Sequence, residues 1–394
     1  MTSEATLSKS GFMMPTYRPW PVQFVSGRGS TLVADDGSEY LDLVAGIAVA
    51  GLGHAHPSVA AAVAKQAHEL MHTSNLYPTR PAAALAERLS VLTGGKLAFF
   101  CNSGAEAIEC ALKLSRKWGR SRRGATGIVA THNGFHGRTF GALAATGQPA
   151  KQAPFEPLPG GFTHVPFGDA RALESALEEE TCALVIEPIQ GEAGVVVPPH
   201  GYLTRARELC TERDVLLVLD EIQTGLGRTG AWFAGDHDDV EPDVVCVGKA
   251  LASGLPMAAC LARPDIAYAF QPGDHATTFG GGPVQSAAAL ATLDVIEREE
   301  LVARAATAGA TFARALGELA GAEIEVRGRG LMIGLDLGAP RARLVAEAAF
   351  DRRLLVNDAT PSVVRLVPPL VITDDEIERA IEILGEVLFA GESS

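Results

Sequence analysis

An α/β fold is predicted: a mostly parallel large-domain sheet covered by helices, plus a smaller α/β domain built from both chain ends. Three observations predict it. The apolar runs "CALVIEP" (182–188), "VLLVLDE" (215–221) and "DVVCVGK" (243–249) are continuous rather than alternating. Strands of that kind are buried on both faces, the habit of parallel sheets. The runs alternate with helical stretches, as in layered α/β folds. The chain has 394 residues, too many for one small core, so two domains follow from length.

In chain order, "STLVADDGSEYLD" (30–42) reads as two short strands around an Asp-Gly turn. "PSVAAAVAKQAHELM" (57–71) is Ala-rich with Pro at its start, a helix signal. "KLAFFC" (96–101) is a strand, Glu106 to Trp118 a helix and "GIVATHN" (127–133) a strand. "ARALESALEEE" and "YLTRARELCTERD" are the helices that flank "CALVIEP". After about Gly282 the character changes. Ala-rich helical sequence leads to the short strands "RGLMIGLDL", "RLLVN" and "SVVRLVPPLVI". A last helix opens on Thr373 and Glu376, spaced as a capping box. The expected division is 1–56 (N-terminal segment of the small domain), 57–282 (large domain) and 283–394 (C-terminal small domain), with the N-terminal hairpin packing on the C-terminal part.

The balance of 33 basic against 47 acidic residues gives a net charge of −14. That argues against nucleic acid or anionic lipid as the main partner. The six cysteines contain no C-x-x-C pair and most sit in apolar runs, as expected of reduced thiols in a cytoplasmic protein. "MTSEATLSKSGFMMP" lacks the basic start and apolar segment of a signal peptide. Leu43 to Gly53, the longest uncharged apolar stretch, is too short to span a bilayer.

Ligands of such sheets sit at the carboxyl ends of the strands. The polar residues closing the runs therefore stand out: Asn102 and Ser103, His136 and Arg138 a little past theirs, Glu187, Asp220 and Lys249. Lys249 is either a snorkelling lysine or one with lowered pKa, held as a nucleophile for a carbonyl. Asp220, at the tip of "VLLVL", is either half of a buried salt bridge or the partner of a protonated heterocyclic nitrogen. "CNSGAEAIECALKLSRKW" (101–118) carries the S-x-x-E spacing of a capping box at Ser103 and Glu106. Its small Ser-Gly-Ala turn is either an ordinary cap or a phosphate cradle. In "NGFHGRTFGA" (133–142), Phe135 sits where an aromatic face could lie on a planar ligand, and Arg138 could clamp a carboxylate. A surface loop with a packed Phe is the plainer account. His54 and His56 have metal-like spacing without a third ligand and read as structural; no metal is expected. "GLGRTG" and "LLVLDE" match nucleotide-binding patterns only formally. "IQT" separates the strand from the glycines, and no G-x-x-x-x-G-K-[ST] occurs.

Taken together, "GIAVAGLGHAHP", "HTSNLY", "FCNSGAEA", "FHGRT", "TGQPAKQ", "IEPIQGE", "LVLDEIQTGLGRTG", "VGKALASGLP", "TFGG", "RGLMIG" and "VVRLVPPL" resemble the class III (ω-) aminotransferases, nearest the acetylornithine aminotransferase family. The resemblance covers nearly the whole chain. It implies a fold type I enzyme of pyridoxal 5′-phosphate. Lys249 is then the Schiff-base lysine and Asp220 the partner of the pyridine nitrogen. Gln223 meets the ring hydroxyl, and Phe135 and Ile222 sandwich the ring. Ser103, Gly104 and Ala105 cradle the phosphate, with Thr278 reaching in from the other subunit of a homodimer. Arg138 resembles the arginine that holds the α-carboxylate of the ω-amino substrate. Arg365 resembles the one that holds glutamate's α-carboxylate, and Glu192 the glutamate that masks it.

The implied reaction is transfer of the terminal amino group of N-acetylornithine to 2-oxoglutarate, in arginine biosynthesis. Ornithine, succinylornithine, 4-aminobutyrate or a secondary-metabolite amine is the alternative donor. Ile47 stands where ornithine enzymes place Tyr, which favours the acylated substrate. Gly282 and Ile108 replace asparagines of close relatives at non-catalytic positions. The remaining alternatives are a nucleotide-dependent enzyme and a non-catalytic relative.

Overall fold

The computed structural model describes residues 12–321 and 323–389. Met1 to Gly11, the greater part of the segment read as lacking a targeting signal, lie outside them. Three short antiparallel strands open the fold: β1 (Phe24–Arg28), β2 (Thr31–Ala34) and β3 (Glu39–Asp42). The β2–β3 turn is the expected Asp-Gly one. Gly37 takes a φ of +83°, and Asp36 Oδ1 accepts the Ser38 N–H at 2.8 Å.

The central sheet contains β4 (Leu97–Cys101), β5 (Gly127–Thr131), β6 (Phe162–Val165), β7 (Thr181–Ile186), β8 (Leu216–Asp220), β9 (Val244–Val247) and β10 (Ala258–Ala262). Their spatial order is β4-β10-β9-β8-β7-β5-β6. All are parallel except β10, which is antiparallel to both neighbours. Neither β6 nor β10 was legible beforehand. The segment between β9 and β10 is too short for the crossover that a parallel return needs, so β10 runs back.

Residues of β7, β8 and β9 are all buried, and their side chains alternate between two cores. Ala183, Val185, Leu216, Val218, Val244 and Cys246 pack with helix Gly104–Arg123. Leu184, Ile186, Leu217 and Leu219 pack with helix Tyr202–Glu212. Each fully buried Leu or Val contributes about 1.5–3 kcal/mol. Both faces are therefore covered, and Asp220 falls in register on the face of helix Gly104–Arg123.

Helices Pro283–Arg298 and Leu301–Ala320 follow the sheet. The C-terminal strands are β11 (Glu325–Arg329), β12 (Met332–Asp336), β13 (Leu354–Leu355), β14 (Asn357–Asp358) and β15 (Val363–Leu366). Four form an antiparallel sheet, β11-β12-β15-β14. β13 instead pairs parallel with β3, so the N-terminal hairpin joins the C-terminal part in one sheet. Helix Asp374–Leu388 has its full capping box: Thr373 Oγ1 accepts the Glu376 N–H at 3.2 Å, and Glu376 Oε2 accepts the Thr373 N–H at 2.8 Å. No described helix is long and apolar enough to cross a membrane.

Candidate active site

The carboxyl ends of the parallel strands gather the polar residues. Asp220 closes β8 and is buried. Its Oδ1 accepts the Ile222 N–H at 3.1 Å, and its Oδ2 lies 2.8 Å from His136 Nδ1. Burial alone would lower the His136 pKa, but the hydrogen bond and charge of Asp220 outweigh it and leave it raised. His136 Nε2 is buried with no partner among the described residues.

Close contacts at three glycines join the loops around Asp220. A Cβ on Gly104 would lie 2.9 Å from Ile222 Cδ1, and one on Gly248 3.4 Å from Ile222 Cγ2. A Cβ on Gly137 would lie 2.7 Å from the Cβ of Ala105. The Ser103–Ala105 turn, the loop after Asp220, the loop holding Phe135 and His136, and the lysine loop thus meet at one point. Ser103 begins helix Gly104–Arg123, so the free N–H groups of that helix face the same region. The capping box expected there is only half formed. Ser103 Oγ accepts the Glu106 N–H at 3.3 Å, but Glu106 Oε2 turns to Asn102, taking its backbone N–H at 2.9 Å and its side-chain amide at 2.8 Å. Ser103 keeps its own N–H free of that carboxylate.

Lys249 follows β9 after Gly248. Its φ is +40°, a left-handed conformation that costs a non-glycine residue of order 1–3 kcal/mol. Desolvation, and then the nearby Arg365, hold its amine below the usual lysine pKa. Gly254 serves the backbone: its φ is +118°, and a Cβ there would meet nothing.

A second cluster adjoins the first. Arg365, on β15, is 1% exposed. Its Nη1 lies 2.8 Å from Glu192 Oε1 and donates to Gln223 Oε1 at 3.3 Å. Its Nε and Nη2 donate to Asn357 Oδ1 at 3.1 and 2.6 Å. Asn357 is the register partner of Arg365 across β14 and β15, which puts both side chains on one face. Burial pushes Glu192 up, but Arg365 more than reverses this and holds its carboxyl below the usual range.

Phe135 donates its N–H to Glu187 Oε2 at 2.9 Å, and Gly191 donates to Glu187 Oε1 at 3.2 Å. Glu187 therefore clips the Phe135 loop to the Glu192 loop. Burial pushes its carboxyl up to about 7. Arg138 is exposed, with its guanidinium 5.6 Å over the Phe135 ring.

Ile47 lies in the turn Ala45–Ala48, where four successive residues have φ of 50°, 64°, 64° and 63°. Asp42 Oδ1 braces this turn by accepting the N–H groups of Val44 and Ala45 at 2.8 and 2.9 Å. Ile47 and Asn357 line one cavity of about 350 Å³. Ile108 is buried in the core, and Gly282 caps helix Pro283–Arg298. Thr278 is not part of either cluster. It is exposed and lines a separate recess with His72, Asn75 and Phe279. His54 Nε2 lies 2.8 Å from Asp42 Oδ2, a structural contact. Among the described residues, no group of three or more His, Cys, Asp or Glu could hold a metal ion.

The roles of His136 and Glu187 were missed, although Glu187 closed an apolar run and His136 lay a little past one. Asn357 left no signal, because its place opposite Arg365 is set by the pairing of β14 with β15.

A desolvated amine, a buried carboxylate with a histidine behind it, a helix N-terminus and a masked arginine together suit chemistry on an amine and a carboxylate-bearing substrate. Comparison with known proteins agrees. The sequence profile of the family described as aminotransferase class-III matches residues 12–388. An acetylornithine aminotransferase of Mycolicibacterium smegmatis is 52% identical over 378 residues, 95% of this chain and 96% of that protein. One from Methanopyrus kandleri is 48% identical over 382 residues, covering 96% and 97%. The crystal structure of ornithine aminotransferase from Toxoplasma gondii superposes with a TM-score of 0.95 at 35% identity, covering 100% of this chain and 96% of that one. The acetylornithine aminotransferase structure from Elizabethkingia anophelis gives 0.87 at 33% identity, covering 98% and 97%. With family profile, close relatives and fold in agreement over almost its whole length, the chain belongs to the class-III aminotransferases.

Proposed function

We propose that this aminotransferase uses pyridoxal 5′-phosphate to transfer the terminal amino group of N-acetylornithine to 2-oxoglutarate, giving N-acetylglutamate semialdehyde and glutamate. The observation that carries the reading is the ion pair of Glu192 with buried Arg365. A site that takes a neutral acyl chain in one half-reaction and a second carboxylate in the other needs a cation that can be masked, because an unpaired buried arginine is costly. The relatives named acetylornithine aminotransferase support the donor. A second crystal structure of the Toxoplasma gondii ornithine aminotransferase reports partial occupancy of the cofactor at its active site, which supports the cofactor.

The residues fit that group. The Ser103–Ala105 turn offers unbonded helix N–H groups to a phosphate. Tight packing at Gly104 and Gly248 brings Ile222 beside the turn and the lysine loop. Asp220, hydrogen-bonded to His136, would keep a ring nitrogen protonated, a role its buried position supports. When bound, the cofactor supplies a carbonyl for the amine and a ring that absorbs the electrons left on the deprotonated carbon. Lys249 would anchor it at rest. Once freed by the donor's amine, the lysine amine would take the proton from the donor's amine-bearing carbon and, as acid, pass it to the cofactor's former carbonyl carbon, its lowered pKa keeping the neutral base available. Gln223 and Phe135 orient the ring. Arg138 holds the donor's α-carboxylate, and Arg365 that of glutamate once Glu192 withdraws.

The working form in this proposal is a homodimer in which Thr278 completes the partner's phosphate site, and the exposure of Thr278 supports that reading. The protein acts in the cytoplasm, in arginine biosynthesis. The division near residues 56 and 282 is our proposal too, supported by the central sheet lying wholly within 97–262.

The ornithine aminotransferase superposition favours one second reading, free ornithine as donor. The test compares kcat/KM for N-acetylornithine and ornithine with 2-oxoglutarate. The first is expected to lead by tenfold or more, about 1.4 kcal/mol of transition-state discrimination. A tenfold lead for ornithine reverses the assignment.

A further inference from the structure

The Glu192–Arg365 pair must open whenever a dicarboxylate uses Arg365, a requirement that rests on the function proposed above. Arg365 is not the member that moves. It is 1% exposed, lies in a strand hydrogen-bonded on both sides, and has its Nε and Nη2 held by Asn357 at 3.1 and 2.6 Å. Glu192 is freer. Its side chain is 26% exposed, and it lies in the loop between Gly191 and Gly194. It also lines a cavity of about 800 Å³. Glu192 therefore swings while Arg365 stays.

A carboxylate that leaves its arginine and stays mostly buried is strongly destabilised unless another cation receives it. The wall of the same cavity holds such a cation. Lys151 is the one lysine or arginine among its lining residues, beside Gln148, Gln190 and Glu192. Its amine lies 5.4 Å over the Phe135 ring and donates to the neutral Gln148 Oε1. It has no ion-pair partner among the described residues. We propose that Lys151 is the second seat of the switch: it receives the Glu192 carboxylate when a dicarboxylate takes Arg365. Lys151 is thus a positioning residue, acting on the dicarboxylate half-reaction through Glu192. The field around it agrees. Desolvation holds its amine below the usual lysine pKa, and Arg138 and Arg365 add to this, while Glu192 and Glu187 oppose it. Such an ammonium gains from an arriving carboxylate.

The test is a double-mutant cycle read by titration calorimetry. Glutarate, an unreactive dicarboxylate, is titrated into holoenzyme carrying Lys151→Met, Glu192→Gln, or both. Lys151→Met is expected to weaken glutarate about tenfold in the wild-type background and less than about twofold in the Glu192→Gln background, where no charge needs a new seat. Lys151→Arg should restore most of the affinity. Equal weakening in both backgrounds overturns the proposal, because Lys151 would then touch the dicarboxylate itself. No weakening in either also overturns it, because Glu192 would then swing into water. The parent reading fails separately, as a wild-type enzyme that does not use 2-oxoglutarate.

Discussion

His136 Nδ1 lies 2.8 Å from Asp220 Oδ2, and both side chains are sealed from solvent. In the proposed mechanism Asp220 stays ionised, and its hydrogen bond and charge raise the pKa of the buried His136 behind it. Asp220→Asn removes the charge and is expected to lower kcat by 10²-fold or more, with weaker cofactor retention. His136→Asn keeps a hydrogen bond to Asp220 but removes the titratable ring, and should cost about tenfold. Stopped-flow half-reactions and cofactor titration would measure both. Equal losses in the two variants would contradict the ranking.

Lys249 holds a left-handed φ at the point where chemistry is proposed. Lys249→Ala is expected to leave melting within a few degrees of wild type while turnover falls by at least 10³-fold. The visible band of the wild-type protein should bleach with borohydride and leave the cofactor attached. In the variant, the cofactor should dialyse away. Retained activity would remove Lys249 from the mechanism.

Glu192→Gln leaves Arg365 charged and unmasked. KM for N-acetylornithine should rise about tenfold, while KM for 2-oxoglutarate stays level or falls. Parallel changes in both constants would mean that Glu192 has no role in choosing between substrates.

Ile47 presents its side chain from a strained turn to the cavity it shares with Asn357. Ile47→Tyr adds a hydroxyl there. The ratio of kcat/KM for ornithine over N-acetylornithine is expected to increase by about tenfold. An unchanged ratio would place the acyl group elsewhere.

Glu221, next to Asp220 but on the other face of the sheet, is 1% exposed, and burial pushes its pKa from 4.5 up to about 7. It binds its proton more tightly folded than unfolded, so stability falls as pH rises from about 4.5 to about 7 and stays reduced above that. Glu221→Gln removes this dependence. Between pH 5 and 8 the variant should gain about 2–3 kcal/mol on the wild type, whatever its offset from the changed hydrogen bonds to Thr224 and Gly235. Paired denaturant titrations at the two pH values check the sign. Cofactor-free protein avoids linkage from binding.

The layered α/β class, the strands that lead to Asp220 and Lys249, and the capped last helix could all be read from the sequence. They follow from apolar runs and cap spacing, which are local properties of the chain. The short edge strand β6 and the reversed β10 could not. Their runs are brief, and direction depends on where the chain must return. Lys249 and Asp220 were legible as charges closing apolar runs, where a lone charge is costly unless it has a use. His136 behind Asp220, Asn357 across from Arg365 and the turn that presents Ile47 depend on register and loop contact between segments far apart in the chain. Only the tertiary structure brought those groups within hydrogen-bonding distance. Burial there, which no local spacing encodes, lowered the pKa of Lys249 and raised those of Glu187 and Glu221.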